Sequence, residues 1–210
     1  PRFQPHVGRV DPPVRPRAAG VASGRNDPQA TGGAHAKHAL AASIRHAATH
    51  AGVEPALSVA VARAESSLNP VARSPDGRSV GTFQVLASTQ AEMRRKIAAG
   101  VVARPPGSDD VALGVGYLRY LHDLFGRDAQ LGHGLRTVAV ADSAERRQFA
   151  VAAYNAGEGS VARAQARTAA AGGDPTRFAD VRSYLPGITQ GYVQRVVAYA
   201  REELPTGTAV

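Results

Sequence analysis

From about residue 36 onward, apolar residues recur at helical spacing. The first stretch places His38, Leu40, Ile44 and Ala47 or Ala48 near a 3.6-residue period. Pro55, a good first-turn residue, opens the second. There Leu57, Val61, Ala64 and Leu68 fall at i, i+4, i+7 and i+11 before Asn69-Pro70 ends the pattern. Residues 74–81 are rich in turn formers and read as a loop. Thr89-x-x-Glu92 reads as a capping box and predicts a short helix running to Gly100. Asp109 or Asp110 is expected to cap the next helix. Its stripe is Val111, Val115, Leu118, Leu121 or His122, and Phe125, closed by Gly126. Residues 127–142 read as a loop, or at 137–141 as a short strand. Ser143 is the expected cap of a helix carrying Phe149, Ala152, Ala153 and Ala156 and stopped by Gly157. A further short helix starts at Ser160 and ends at Gly172-Gly173. The last follows Pro186 and sets Ile188, Tyr192, Val196 and Tyr199 on one side. The pattern predicts an all-α domain of about seven helices, without internal repeats.

Residues 1–35 differ. Pro1, Pro5, Pro12, Pro13, Pro16 and Pro28 stand among Arg, Gly and Asn with no helical period. They are expected to form an irregular, extended Pro/Arg-rich arm or linker. The domain is expected over residues 36–204, with a C-terminal tail at 205–210. The sequence starts at Pro1 rather than Met, as expected of a processed chain or a fragment.

Composition narrows the chemistry. Of 210 residues, 43% are hydrophobic and 20% charged, a globular balance. No apolar run reaches the roughly 18 residues of a membrane span. Without cysteine there is no disulfide framework, thiol nucleophile or Cys-ligated metal. The formal net charge is +8, and Lys37 and Lys96 are the only lysines among 25 basic residues. Such a surface favours a polyanion. Aromatics make up 5% and tryptophan is absent, which argues against a base-stacking platform and so against nucleic acid. His46 and His50 stand at i, i+4, but no third ligand accompanies them and no metal is expected. A phosphate loop and a Gly-x-Ser-x-Gly elbow are both missing.

Among the acids, Glu65 stands out. It is one residue past Ala64 on the buried stripe and near the C-terminal end of its helix. Desolvation and the negative end of the helix dipole both disfavour its charged form, as a general acid near neutral pH requires. A helix-end glutamate paired with Arg63 or another arginine is the plain alternative.

Ala64-Glu65-Ser66-Ser67-x-Asn69-Pro70 is followed by Gly81-Thr82-Phe83-Gln84, then Ala153-Tyr154-Asn155-Ala156-Gly157, then Ile188-Thr189-x-x-Tyr192-Val193. In this order and at these separations the four motifs resemble the soluble lytic transglycosylases of the lysozyme-like superfamily, over about residues 40–203. The resemblance implies a lysozyme-like all-α fold of the goose-type lysozyme and lytic transglycosylase kind. It implies cleavage of peptidoglycan glycan strands without a cofactor. Glu65 then matches the single catalytic acid/base. Ser66 fixes the sugar or the glutamate, or is only a helix-end polar residue. Gly81 and Gln84 match the ends of a Gly-x-x-Gln motif lining the cleft. Tyr154 and Asn155 match the Tyr-Asn pair, and Tyr192 matches a tyrosine close to the glutamate. Phe83 reads as a packing residue.

The chain departs from that pattern at Thr82 and Phe83, where an apolar pair such as Leu-Met is usual, and at Ile188, where many relatives have glutamate. Residues 127–145 look long, as for a flap or a partner-binding loop. The expected partner is peptidoglycan, with residues 1–35 or 127–145 as candidate sites for a protein partner. The expected place of action is the periplasm or cell envelope, or a phage virion acting on the wall. Two alternatives remain open: a hydrolytic goose-type-lysozyme-like muramidase, and a glycan-binding structural component of a virion or secretion apparatus.

Overall fold

The computed structural model describes residues 28–132 and 134–204. Eight α-helices stand among these residues: α1 Pro28–Ala51, α2 Pro55–Ser66, α3 Ala87–Ala98, α4 Asp109–Leu124, α5 Ser143–Ala156, α6 Glu158–Ala170, α7 Phe178–Val181 and α8 Gly187–Glu202. A short 3-10 turn, Arg182–Tyr184, joins the last two. A two-stranded antiparallel hairpin, β1 Gln130–Gly132 and β2 Leu135–Arg136, sits between α4 and α5 and pairs Gln130 with Arg136.

The all-α reading holds, and α2 organises it. Residues Ala56 to Ala62 are all buried, so this helix is covered on every side rather than along one stripe. It packs against α1 and α8, while α5 contacts α4, α6 and α8. Buried alanines at 47, 48, 60, 62, 150, 152 and 153 let the helix axes approach closely. Phe149 anchors the far side of the core, with ring centroids 5.9 Å from Phe125 and 5.4 Å from Phe178.

Several boundaries differ from the sequence expectation. Helix α1 begins at Pro28, so residues 28–35 continue the first helix. Residues 33–39 are exposed, and a helix with no buried face leaves no apolar period to read. The rest of the expected arm, and the expected tail at 205–210, lie outside the described residues. Leu68 lies beyond α2, because Ser67 and Leu68 both adopt left-handed conformations, with φ 55° and 60°. Thr89 sits inside α3 rather than capping it; the cap position is Leu86, which uses no side-chain bond. Ser108 caps α4 by accepting from Val111 N, and Asp142 caps α5 by accepting from Ala144 N and Glu145 N, both at 2.8 Å. Helix α6 starts at Glu158, two residues before Ser160, because Gly157 with φ 79° turns the chain at once. The strand expected at 137–141 is displaced to the hairpin upstream. Ile188 is 51% exposed, off the buried side of α8; Thr189, at 1%, takes the inward position.

The base of the 127–145 segment is pinned. Gln165 is fully buried on α6. Its side chain accepts from Val138 N at 3.1 Å and donates to Val138 O at 3.0 Å and Pro175 O at 3.1 Å. Thr137 Oγ1 donates to Arg127 O and accepts from Ala129 N, closing the loop below the hairpin.

Candidate active site

Glu65 lies in the last turn of α2, where Pro55 sets the start and the left-handed Ser67 sets the stop. That stop turns the chain away and leaves the carboxyl against α8. Tyr192 donates its hydroxyl to Glu65 Oε1 at 2.6 Å, across 127 residues of sequence. Burial pushes the Glu65 carboxyl from 4.5 up to about 7, against the opposing pull of the Tyr192 hydrogen bond and the Arg195 guanidinium. Burial, and then the charge of Glu65, hold the Tyr192 phenol well above its ordinary range, so it stays a donor. Arg195 stands one helical turn on, with its guanidinium carbon 5.6 Å from the centre of the Tyr192 ring. Arg63 is drawn elsewhere. It pairs with Glu202 at 2.6 Å and lies over the Tyr199 ring at 4.0 Å, so it is no counter-ion for Glu65.

The segment 81–84 forms the wall beside Glu65 and is tied on every side. Ser66 donates to Thr82 O at 2.8 Å, and its Oγ accepts from Asn69 N at 3.1 Å. Asp110 Oδ2 accepts from Thr82 N at 2.7 Å. Tyr154 donates to Phe83 O at 2.9 Å, while burial raises its phenol well above the usual range. Gln84, with φ 47°, turns its amide back to Gly81 O at 2.7 Å and Ala72 O at 3.1 Å. Gly81 is required twice over: its φ is 100°, and a Cβ there would fall 2.5 Å from Asp110 Oδ1. Phe83 is fully buried. It is seated directly over Gly114, where a Cβ would come 2.1 Å from its ring.

Asn155 is exposed at the end of α5 and accepts from Thr189 Oγ1 at 2.8 Å through its Oδ1. Its amide nitrogen makes no hydrogen bond among the described residues. The sequence motifs therefore converge, with different duties. Glu65 and Tyr192 meet directly. Ser66, Gly81, Gln84 and Tyr154 build the adjoining backbone wall, and Asn155 is oriented by α8. Asp76 stays apart; it is exposed and bonds Ser74 and Arg78 within its own loop.

Sequence reading missed three contributors. Asp110 was legible only as a helix cap, although its carboxylate faces the 81–84 wall. Thr189 sits beside the noted Ile188, yet it is the residue that orients Asn155. Gly114 carried one usable signal, a glycine within a strong helix stripe. No group of three metal-ligating side chains occurs among the described residues, and no helix there is long and apolar enough to cross a membrane.

The family model of the transglycosylase SLT domain matches residues 42–176. A membrane-bound lytic murein transglycosylase F of Thiobacillus denitrificans is 30% identical over 156 residues, covering 74% of this chain and 29% of that protein. A soluble lytic murein transglycosylase of Salmonella typhimurium is 32% identical over 152 residues, 70% of this chain and 20% of its relative. Among solved structures, the 70 kDa soluble lytic transglycosylase of Escherichia coli aligns with a TM-score of 0.54 at 23% identity, over 75% of this chain and 23% of that one. The lytic transglycosylase Slt of Pseudomonas aeruginosa aligns with a TM-score of 0.53 at 25% identity, over 76% and 23%. The chain thus spans less than a third of the length of these relatives. The fold they share with it is lysozyme-like. Tyr192 lies beyond the matched residues 42–176, so its contact with Glu65, expected from the resemblance of its motif, is not carried by that match and rests on the geometry.

Proposed function

The chain belongs to the transglycosylase SLT family, and on that premise we propose that it is a peptidoglycan lytic transglycosylase with Glu65 as its single acid/base. The observation that carries this reading is the Glu65–Tyr192 pair: a carboxyl raised to about 7, held by a phenol that remains protonated. Such a group keeps its proton near neutral pH and is poised to give it up.

Most glycosidases work with two carboxylates. Among the described residues, Arg195 is the one charged side chain whose field bears on Glu65, and Asp76, the next acid along the sequence, is turned into its own loop. One carboxyl suffices when the substrate supplies the nucleophile. Glu65 donates its proton to the glycosidic oxygen between the muramic and glucosamine sugars, and the C1–O bond breaks. The N-acetyl carbonyl of the muramic sugar supports the positive charge growing at C1. The Glu65 carboxylate then accepts the proton of the C6 hydroxyl, whose oxygen bonds to C1 and closes a 1,6-anhydro ring. Atoms balance without water. Tyr192 holds the carboxyl in place through both transfers, and the unpartnered amide of Asn155 is a donor for a sugar hydroxyl or acetamido oxygen.

A net charge of +8 favours approach to an acidic wall polymer, and this chemistry belongs at the cell wall, in the envelope or carried there by a virion. Mass spectrometry of fragments released from purified sacculi tests the proposal. The expected product ends in an anhydro sugar and is lighter by one water than the hydrolytic product. Hydrated ends alone would make the enzyme a muramidase. Tight glycan binding with no released fragment would make it a glycan-binding component.

A further inference from the structure

Thr189, Tyr192 and Arg195 follow one another at three-residue steps along α8 and so lie on one side of that helix. The first bonds Asn155 and the second bonds Glu65. The third is exposed and makes no ion pair among the described residues. The two acids at the end of α8 are already claimed, Glu202 by Arg63 and Glu203 by Arg45. Arg195 therefore keeps a free positive charge. Its position is set by packing. Tyr192 meets Glu65, and two turns on Tyr199 lies under Arg63, so residue 195 falls between two contacts of α8 with the last turns of α2.

The guanidinium carbon of Arg195 is 5.6 Å from the centre of the Tyr192 ring, within cation–π reach. A cation there draws on the ring electrons and makes the phenol a stronger donor, and that phenol donates to Glu65 Oε1 at 2.6 Å. The single carboxyl needs such help. After its first transfer Glu65 is a carboxylate in a buried place, where an unpaired charge is costly. It must last until it takes the proton of the C6 hydroxyl. The remaining groups around it do not supply a charge. On α2, Arg63 is held by Glu202. On α5, the Tyr154 phenol stays protonated and gives its hydrogen to Phe83 O. The 81–84 wall has no ionisable side chain, and Asp110 of α4 is turned to Thr82 N behind it.

Resting on the function proposed above, we propose that Arg195 is a positioning residue of the reaction: across the Tyr192 ring, its guanidinium steadies the carboxylate that Glu65 becomes between its two proton transfers. Arg195 touches neither the acid's hydrogen-bonded oxygen nor the sugar in this role; it acts through Tyr192 and through its field.

The test titrates the Glu65 carboxyl by NMR in the full chain carrying isotope-labelled glutamate, with Glu65→Gln identifying the signal. Wild type, Arg195→Gln and Arg195→Lys are compared; both substitutions are at an exposed position and are expected to leave the circular dichroism unchanged. Arg195→Gln should raise the Glu65 midpoint by about half a pH unit, as expected for one solvent-screened charge. Arg195→Lys should restore it. Sodium chloride at about 1 M should move the wild-type midpoint toward that of Arg195→Gln and leave the variant nearly still. On glycan strands, Arg195→Gln should shift the alkaline limb of kcat/KM upward by the same amount and lower kcat about threefold at unchanged KM. A midpoint unmoved by Arg195→Gln overturns the proposal and leaves the cleavage reading intact. So does a raised KM with an unmoved midpoint, which would make Arg195 a substrate contact. If the wild type releases no fragments, the cleavage reading fails, and the titration alone still decides whether Arg195 steadies the carboxylate.

Discussion

Tyr192 donates a 2.6 Å hydrogen bond to Glu65, joining the end of α2 to the middle of α8. The bond favours the carboxylate, yet burial outweighs it and leaves the group near 7. The balance between these two effects sets the behaviour of the site.

Replacing the acid with its neutral isostere should abolish proton transfer while keeping the acceptor oxygen for Tyr192. Glu65→Gln is expected to fold normally by circular dichroism and to lose at least about 10²–10⁴ of the wild-type turnover. Substantial release of fragments by a pure, folded sample would remove Glu65 from the mechanism.

The same variant has a pH signature in stability. Glu65 is raised in the folded state, from 4.5 to about 7, so the folded protein holds the proton more tightly than the unfolded chain. That contribution is fully present below 4.5 and is lost as pH rises toward 7. The loss is at most about 3 kcal/mol. Glu65→Gln escapes it. Its Tm should match that of wild type near pH 4 and exceed it progressively up to pH 8; parallel Tm curves would show that burial of Glu65 carries no such strain.

Removing the phenol hydroxyl should push Glu65 higher still, since the lost bond favours the charged form. Tyr192→Phe is expected to shift the alkaline limb of the kcat/KM profile above its wild-type position near 7 and to lower the maximum about tenfold. The stability cost is about 1 kcal/mol. An unmoved alkaline limb would contradict the coupling.

Gly114 should tolerate nothing larger. A Cβ there comes 2.1 Å from the Phe83 ring, which has no room to retreat in a fully buried site. Gly114→Ala is expected to destabilise by about 1–3 kcal/mol and to displace the 81–84 wall, lowering activity beyond the loss in folded fraction. Chemical denaturation and activity at matched folded fraction separate the two effects.

Asp110→Ala deletes the acceptor of Thr82 N, whose residue is fully buried. Leaving that N–H unsatisfied should cost about 1–3 kcal/mol, read as a lowered denaturation midpoint at unchanged m-value.

Helix identity was legible because helices that bury one face print a 3.6-residue period, as Leu57, Val61 and Ala64 do in α2 and Val111, Val115 and Leu118 do in α4. Helix ends were less so. Ser108, Asp142 and Gly157 outcompeted neighbours of equal propensity, and only the path of the chain selects among adjacent caps. Residues 33–35 were unreadable because an exposed stretch of helix needs no apolar stripe.

The sequence by itself determined the all-α class, the helical position of Glu65 near its stop, and the order of the four motifs, since these depend on spacing within short segments. The Tyr192–Glu65 pairing was expected only through the resemblance of its motif. Tertiary structure alone decided that Thr189 orients Asn155 and that Asp110 and Gly114 shape the 81–84 wall. Each of these is a contact between segments distant in sequence, made by packing that local propensity does not encode.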